Sequence, residues 1–318
     1  MSLTQHSSPT APAVSYASVG GVLTKASSAH TSQPNVHYRS VDPAQTPAFG
    51  SSTDYLIVDR EFVLHDAILQ VDLSAITGTY AGATFTNWGP ANQLVQRVEI
   101  YANSGSELVQ TIYPDALQWQ YQHTVTSDEH AIADPLVNSV GQAAQTVYLR
   151  LPSVIDQASG IPLFAVRGDI RYRFVWKTLV QTIWTDAAAP TGQGGSIVAA
   201  RLWLKLSAPS LEEKQALASA FNNATARFRV TVPRIQKYSL ASGATSSQTQ
   251  LAGVNGPVSH ITVGIRPANA TGADLEAWTA ITTLDIRDST GASVIGNATL
   301  TPELIKLFGL DHYRGVGF

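Results

Sequence analysis

From Tyr55 onward, apolar and polar residues alternate along most of the chain, which is the period of a strand with one buried face. YLIVDREFVL (55–64), AILQVDL (67–73), LVQRVEIY (94–101) and TVYLRL (146–151) read as strands. In DIRYRFVWK, Ile170, Tyr172, Phe174 and Trp176 fall on one face, and Arg171, Arg173 and Lys177 on the other. AARLWLKL repeats the device, with Ala200, Leu202, Leu204 and Leu206 directed inward. The connection between these two strands, APTGQGGS, reads as a glycine turn. About eight strands and one substantial helix between Tyr55 and Ser207 fit a sandwich or jelly roll. They do not fit a doubly wound sheet, in which a helical pattern follows each strand. The class is all-β.

One passage occurs twice. VEIYANSGSELVQTIYPDALQWQYQH begins at Val98 and LDIRDSTGASVIGNATLTPELIKLFGLD at Leu284, and the two align without a gap as far as Gln110 and Gly296. Val98, Ile100, Leu108 and Val109 match Leu284, Ile286, Val294 and Ile295; Glu99 matches Asp285, and Gly105 matches Gly291. After a two-residue insertion Pro114 meets Pro302, Asp115 meets Glu303, Leu117 meets Ile305 and Trp119 meets Leu307. Each copy reads as strand, Ser/Thr-Gly turn, strand, then a helix with proline in its first position. This order points to an internal duplication, with chance likeness between two hairpins as the alternative. The period is too long for a solenoid.

These signals divide the chain into an extended arm (1–50), a first jelly roll (51–208), a linker helix (209–223) and a second jelly roll (224–318). The arm is rich in Ser, Thr, Ala and Pro and shows almost no apolar period. It is either a disordered tail or a segment that orders against a neighbour or a membrane surface. In the linker, Ser210 and Glu213 form a capping box, and Leu211, Leu217 and Phe221 supply helical apolar positions. ARFRVTV, SHITVGI and ITTLDIRD carry the β pattern of the second region. The first copy runs on for about 80 residues beyond its helix and the second for only a few, so the second barrel reads as C-terminally incomplete. Either a segment follows in the native protein, or strands from a neighbour or from the arm close the barrel.

Composition narrows the function. Of 318 residues, 44% are hydrophobic and only 14% charged, a surface thin in charge that suggests burial against neighbouring subunits. The formal charge of −3, with no run of Lys and Arg, argues against holding nucleic acid. The absence of cysteine rules out disulfides and thiolate chemistry. The N-terminus lacks the basic start and apolar core of a signal peptide, and no apolar run approaches the roughly 18 residues that cross a bilayer. The expectation is a soluble chain made in a cytoplasm.

A search for chemistry returns little. Asp128, Glu129, His130 and Asp134 could ligate a divalent cation, but their spacing fits no calcium loop, and an exposed acidic loop is the better reading. GQGGS lacks the lysine and the strand–helix setting of a phosphate loop. There is no GxSxG elbow, and the eight histidines make no HExxH or paired-ligand spacing. Asn223, Asn269 and Asn297 head sequons that carry little weight without a secretory signal. Among the six tryptophans, Trp176 and Trp203 lie on strands, where core or subunit packing outweighs sugar stacking. Glu99 and Asp169 are the carboxylates a glycoside-processing enzyme would need to bring together. The expectation is no catalytic, cofactor or metal site, and no enzyme.

The duplicated strand-turn-strand-helix, the segment IPLFAVRGDIRYRFVWK (161–177), the Ser/Ala-rich arm and the helix at Ser210–Phe221 together resemble the double jelly-roll major capsid proteins of tailless icosahedral viruses, particularly those with an internal membrane. The resemblance implies two tandem jelly-roll barrels with short helices, joined by a linker helix. It implies homotrimers that present six similar footprints and tile a virion shell. Their partners would be other copies, vertex proteins and, through the arm, a lipid membrane, with no direct nucleic-acid contact. The alternative is a β-sandwich adhesion or carbohydrate-binding protein, spike-like or lectin-like.

Overall fold

In the computed structural model, the described residues are 16–19, 22–25, 35–118, 127–138, 141–151, 160–166, 168–187 and 190–222, with isolated positions between 238 and 293. The chain divides into two units, Met1–Arg234 and Ile235–Phe318.

Among the described residues the first unit holds fifteen strands: β1 (Tyr16–Val19), β2 (Val22–Lys25), β3 (Asn35–Val41), β4 (Ser52–Ile57), β5 (Val63–Leu73), β6 (Thr77–Thr79), β7 (Thr86–Trp88), β8 (Val95–Ala102), β9 (Glu107–Ile112), β10 (Gln145–Leu151), β11 (Ile161–Pro162), β12 (Ile170–Trp176), β13 (Ile183–Thr185), β14 (Thr191–Gly194) and β15 (Ile197–Ala208). Nine of them build a sandwich. One sheet runs β10-β5-β15-β3, with β11 continuing beside β5, and the other runs β4-β12-β8-β9. Every pairing is antiparallel.

The pairing is nested. β3 pairs with β15, β4 with β12, β5 with β10 and β8 with β9, so the first strand meets the last and the two middle strands make a hairpin. A long antiparallel ribbon wound over itself in this order is a jelly roll. Among the described residues its two sheets stay open at their edges.

Between the sheets lies one apolar cluster, and the inward faces expected for β12 and β15 supply its centre. Ile170, Tyr172, Phe174 and Trp176 are all buried, as are Ala200, Leu202, Leu204 and Leu206. The polar atoms trapped there find partners. The Tyr55 hydroxyl crosses the sandwich to donate to the Ala200 carbonyl at 3.1 Å, and the Trp176 indole donates to Thr53 Oγ1 at 2.9 Å. Burial pushes the Tyr55 phenol well above its ordinary pKa, so it stays a donor at any working pH.

Several elements differ from the reading of the sequence. Residues 35–41, assigned to the arm, form β3 and complete the first sheet. YLIVDREFVL is not one strand: β4 ends at Ile57, and Val63 opens an eleven-residue strand that absorbs AILQVDL. The break is a charged corner where the chain changes sheet, held by Arg39–Asp59 at 2.6 Å and Arg60–Asp169 at 2.8 Å. APTGQGGS is more than a turn, since Thr191–Gly194 pairs with Thr77–Thr79. The stretch read as an acidic loop is helical over Ser127–Val137, with Pro135 inside it.

Two helix starts match the expectation. Residues 114–118 are helical from Pro114, with Tyr113 O accepting from the Leu117 amide. The helix Leu211–Asn222 opens on the capping box, Glu213 N donating to Ser210 Oγ and Ser210 N to Glu213 Oε2. The helix expected at Pro302 lies outside the described residues, as does ARFRVTV.

Candidate functional site

The carboxylates that could have made a catalytic pair are each committed elsewhere. Glu99 sits on β8 and accepts from Arg97 Nε at 2.6 Å and from the Tyr101 hydroxyl at 2.8 Å. Burial works to raise its carboxyl, but these two hydrogen bonds outweigh it and hold the pKa below the usual glutamate value. An ionised, doubly bonded Glu99 is poorly suited to act as a general acid. Asp169 stands just before β12 and takes Arg60 as its partner.

Asp128, Glu129, His130 and Asp134 all fall within the helix Ser127–Val137. Among the described residues, no three His, Asp or Glu side chains converge as a cation site. Asn223, Asn269 and Asn297 lie outside the described residues. The tryptophans part ways: Trp176 belongs to the core, whereas Trp203 points outward from β15, 36% exposed, with its indole donating to Gln70 Oε1 at 2.9 Å.

The chemistry of the unit therefore lies on its two outer faces. On the β4-β12-β8-β9 face, Arg173 grips Asp54 through Nε (2.8 Å) and a second nitrogen (3.1 Å). Arg171 and Arg173 both lie over the Tyr101 ring. A shallow groove of about 610 Å³ runs past Arg97, Glu99, Arg173 and Lys177. The other face carries Asp66 with Arg150, Asp72 with Thr146 and Gln70, and the exposed Tyr38 and Trp203. Opposite charges alternate on both faces, so neither carries the single-sign field that steers a polyanion.

The Asp54–Arg173 pair makes stability pH-dependent. Hydrogen bonding to Arg173 holds the Asp54 carboxyl below its ordinary value, against the rise that burial alone would cause. A depressed folded pKa contributes stability that is fully present above the unfolded value of about 4 and is lost as pH falls through the folded one. Arg173→Met should therefore cost roughly 1 kcal/mol at neutral pH. In urea melts the gap between wild type and variant should close on acidification. A gap independent of pH would refute the assignment.

In the second unit some of the described positions fall on the repeated hairpin. Arg287 and Ser293 form an antiparallel bridge around a turn in which Gly291 N donates to Asp288 O. Gly105 and Gly291, matched in the alignment, both take left-handed backbone (φ 90° and 85°). The matched acids repeat as well: the residue two places on donates to each, Tyr101 to Glu99 and Arg287 to Asp285 (2.7 Å). The copies also differ: Ser104 takes left-handed backbone and its counterpart Thr290 does not. Asp288 Oδ1 accepts from the amides of Thr290 and Ala292 and tightens the second turn. Arg287 then pairs with Ser293, where the gapless alignment to Tyr101 and Leu108 calls for Val294.

No family model and no curated protein sequence matches the chain. Solved structures do. Among them are viral major capsid proteins. The PBCV-1 VP54 structure fitted into the Sputnik virophage reconstruction is 15% identical, with a TM-score of 0.47, over 60% of this chain and 47% of that one. The Faustovirus major capsid protein is 9% identical, with a TM-score of 0.45, over 61% and 58%. The mavirus major capsid protein is 12% identical, with a TM-score of 0.36, over 66% and 53%. The match thus spans about half the length of these proteins.

Proposed function

We propose that this chain is a structural capsid subunit, in which two related β units let three copies form a pseudo-hexagonal tile of an icosahedral virion shell. The observation that carries the reading is the repeated hairpin: matched glycines both in left-handed backbone and matched acids that each accept from the residue two places on, one copy in each unit. A second jelly roll in Ile235–Phe318, a joining role for the helix Leu211–Asn222 and a lipid layer beneath the shell belong to this proposal. The nested strand order of the first unit supports it, because that fold offers two flat outer faces to neighbours. The thin, sign-alternating charge supports it too, since such surfaces lose little on burial against one another. The role is mechanical and needs no turnover.

Sedimentation equilibrium of the purified chain should give three times the chain mass, with larger arrays as concentration rises. A stable monomer that responds to a glycan in a binding screen would replace this reading with the lectin-like one.

A further inference from the structure

Each sheet of the sandwich ends in two edge strands, and an open edge presents unpaired N–H and C=O groups that invite another strand. Three of the four edges are managed. On β4, Gln45 Oε1 accepts from the Asp54 amide at 3.0 Å, and the Ala44 amide donates to the Asp54 carbonyl at 2.8 Å. The helix Ser127–Val137 lies against β10. β9 opens on Glu107 and pairs with β8 through a register break.

β3 has none of these devices. Its sequence, NVHYRSV, lacks Pro and Lys, and its seven-residue register with β15 is unbroken. Its one cation, Arg39, is drawn to Asp59 and the Phe62 ring. Val36 and Tyr38 are 40% and 68% exposed, and among the described residues no strand pairs with the far edge.

The arm ahead of β3 contains a strand donor. β1 and β2 form an antiparallel hairpin of two four-residue strands that remains a separate sheet within the chain. A two-stranded ribbon of that length is marginal alone and gains stability from a third strand. Residues 26–34 connect it to β3 and can span about 30 Å when extended, enough to carry the hairpin past its own sandwich.

We propose that the β1–β2 hairpin of one copy adds to the β3 edge of a neighbouring copy, extending the β10-β5-β15-β3 sheet across the subunit boundary. The inference rests on the self-assembling reading above and names the surface that assembly uses. Backbone hydrogen bonds would supply the attraction, and the exposed Val36 and Tyr38 would be covered.

The chain has no cysteine, so introduced pairs report cleanly. Two full-length variants with different tags, Thr24→Cys and Ser40→Cys, are mixed, assembled and oxidised, and amide exchange of residues 36–41 is compared between dilute and assembled wild type. The proposal expects a disulfide joining differently tagged chains and exchange slowed about tenfold or more in the assembly. It also expects that Val36→Lys with Tyr38→Lys removes that protection, because edge lysines block strand addition. Unchanged exchange on assembly overturns it. So does slowed exchange without a link between chains. Assembly that persists under those results leaves the capsid reading standing; absence of any assembly removes both.

Discussion

Phe174→Ala should destabilise the first unit by about 3–5 kcal/mol, the cost of removing a large ring from a packed interior and leaving a cavity. Phe174 has no exposed surface, and its ring meets Tyr55 edge-on at 5.3 Å and stacks near Trp176 at 6.2 Å. Both neighbours are pinned by hydrogen bonds, Tyr55 to the opposite sheet and Trp176 to Thr53, so neither can move freely into the void. Near the thermal midpoint of a unit this size, the loss is a fall of roughly 10 °C. Calorimetry checks it. A fall of only a degree or two would mean that the two sheets do not meet at this ring.

Gly195→Ala should cost about 2–4 kcal/mol through overpacking. A Cβ at this position would stand 2.5 Å from a ring carbon of Trp88. Trp88 cannot retreat: it is 1% exposed, stacks on Phe49 at 5.5 Å, and donates its indole hydrogen to the Ser74 carbonyl at 3.0 Å. The same measurement applies, with Gly192→Ala for comparison, where a Cβ meets nothing within 4 Å. Equal losses at the two positions would show that backbone preference, rather than the contact with Trp88, is responsible.

The strands legible in the sequence were those with one face wholly inside. β12 and β15 alternate cleanly because every second residue enters the same apolar layer. β3 does not follow that logic. His37, Arg39 and Val41 face Leu206, Leu204 and Leu202 across the ladder, but at this sheet edge every residue from Val36 to Ser40 is exposed, the apolar Val36 and Tyr38 included. Period-two reading takes such a strand for a tail. Its polar pair is accommodated by Phe62, which His37 meets edge-on at 5.6 Å and Arg39 covers at 4.9 Å, contacts made only after folding.

The β1–β2 hairpin was legible in principle, since Gly20–Gly21 sits between two short β-competent runs and two-glycine loops favour hairpins. The surrounding Ser, Thr and Ala obscured it. The β4–β5 corner was hidden by Val58, which continues an apolar run yet is 62% exposed; the ion pairs that turn the chain there join residues far apart in sequence. The acidic helix was hidden by Pro135, a residue that usually ends helices. As for function, the repeated hairpin was visible because the two turns share a glycine and an acid at matched positions. The bare edge of β3 was not, because an unprotected edge shows only once the other three are seen to be protected.

Negative-stain electron microscopy of the concentrated full-length protein puts the duplication-and-tiling account at greatest risk. Class averages should contain a three-subunit particle with six similar lobes, packing edge to edge into hexagonal patches. Single particles with one jelly-roll lobe and a dissimilar appendage, never associating as concentration rises, would contradict it.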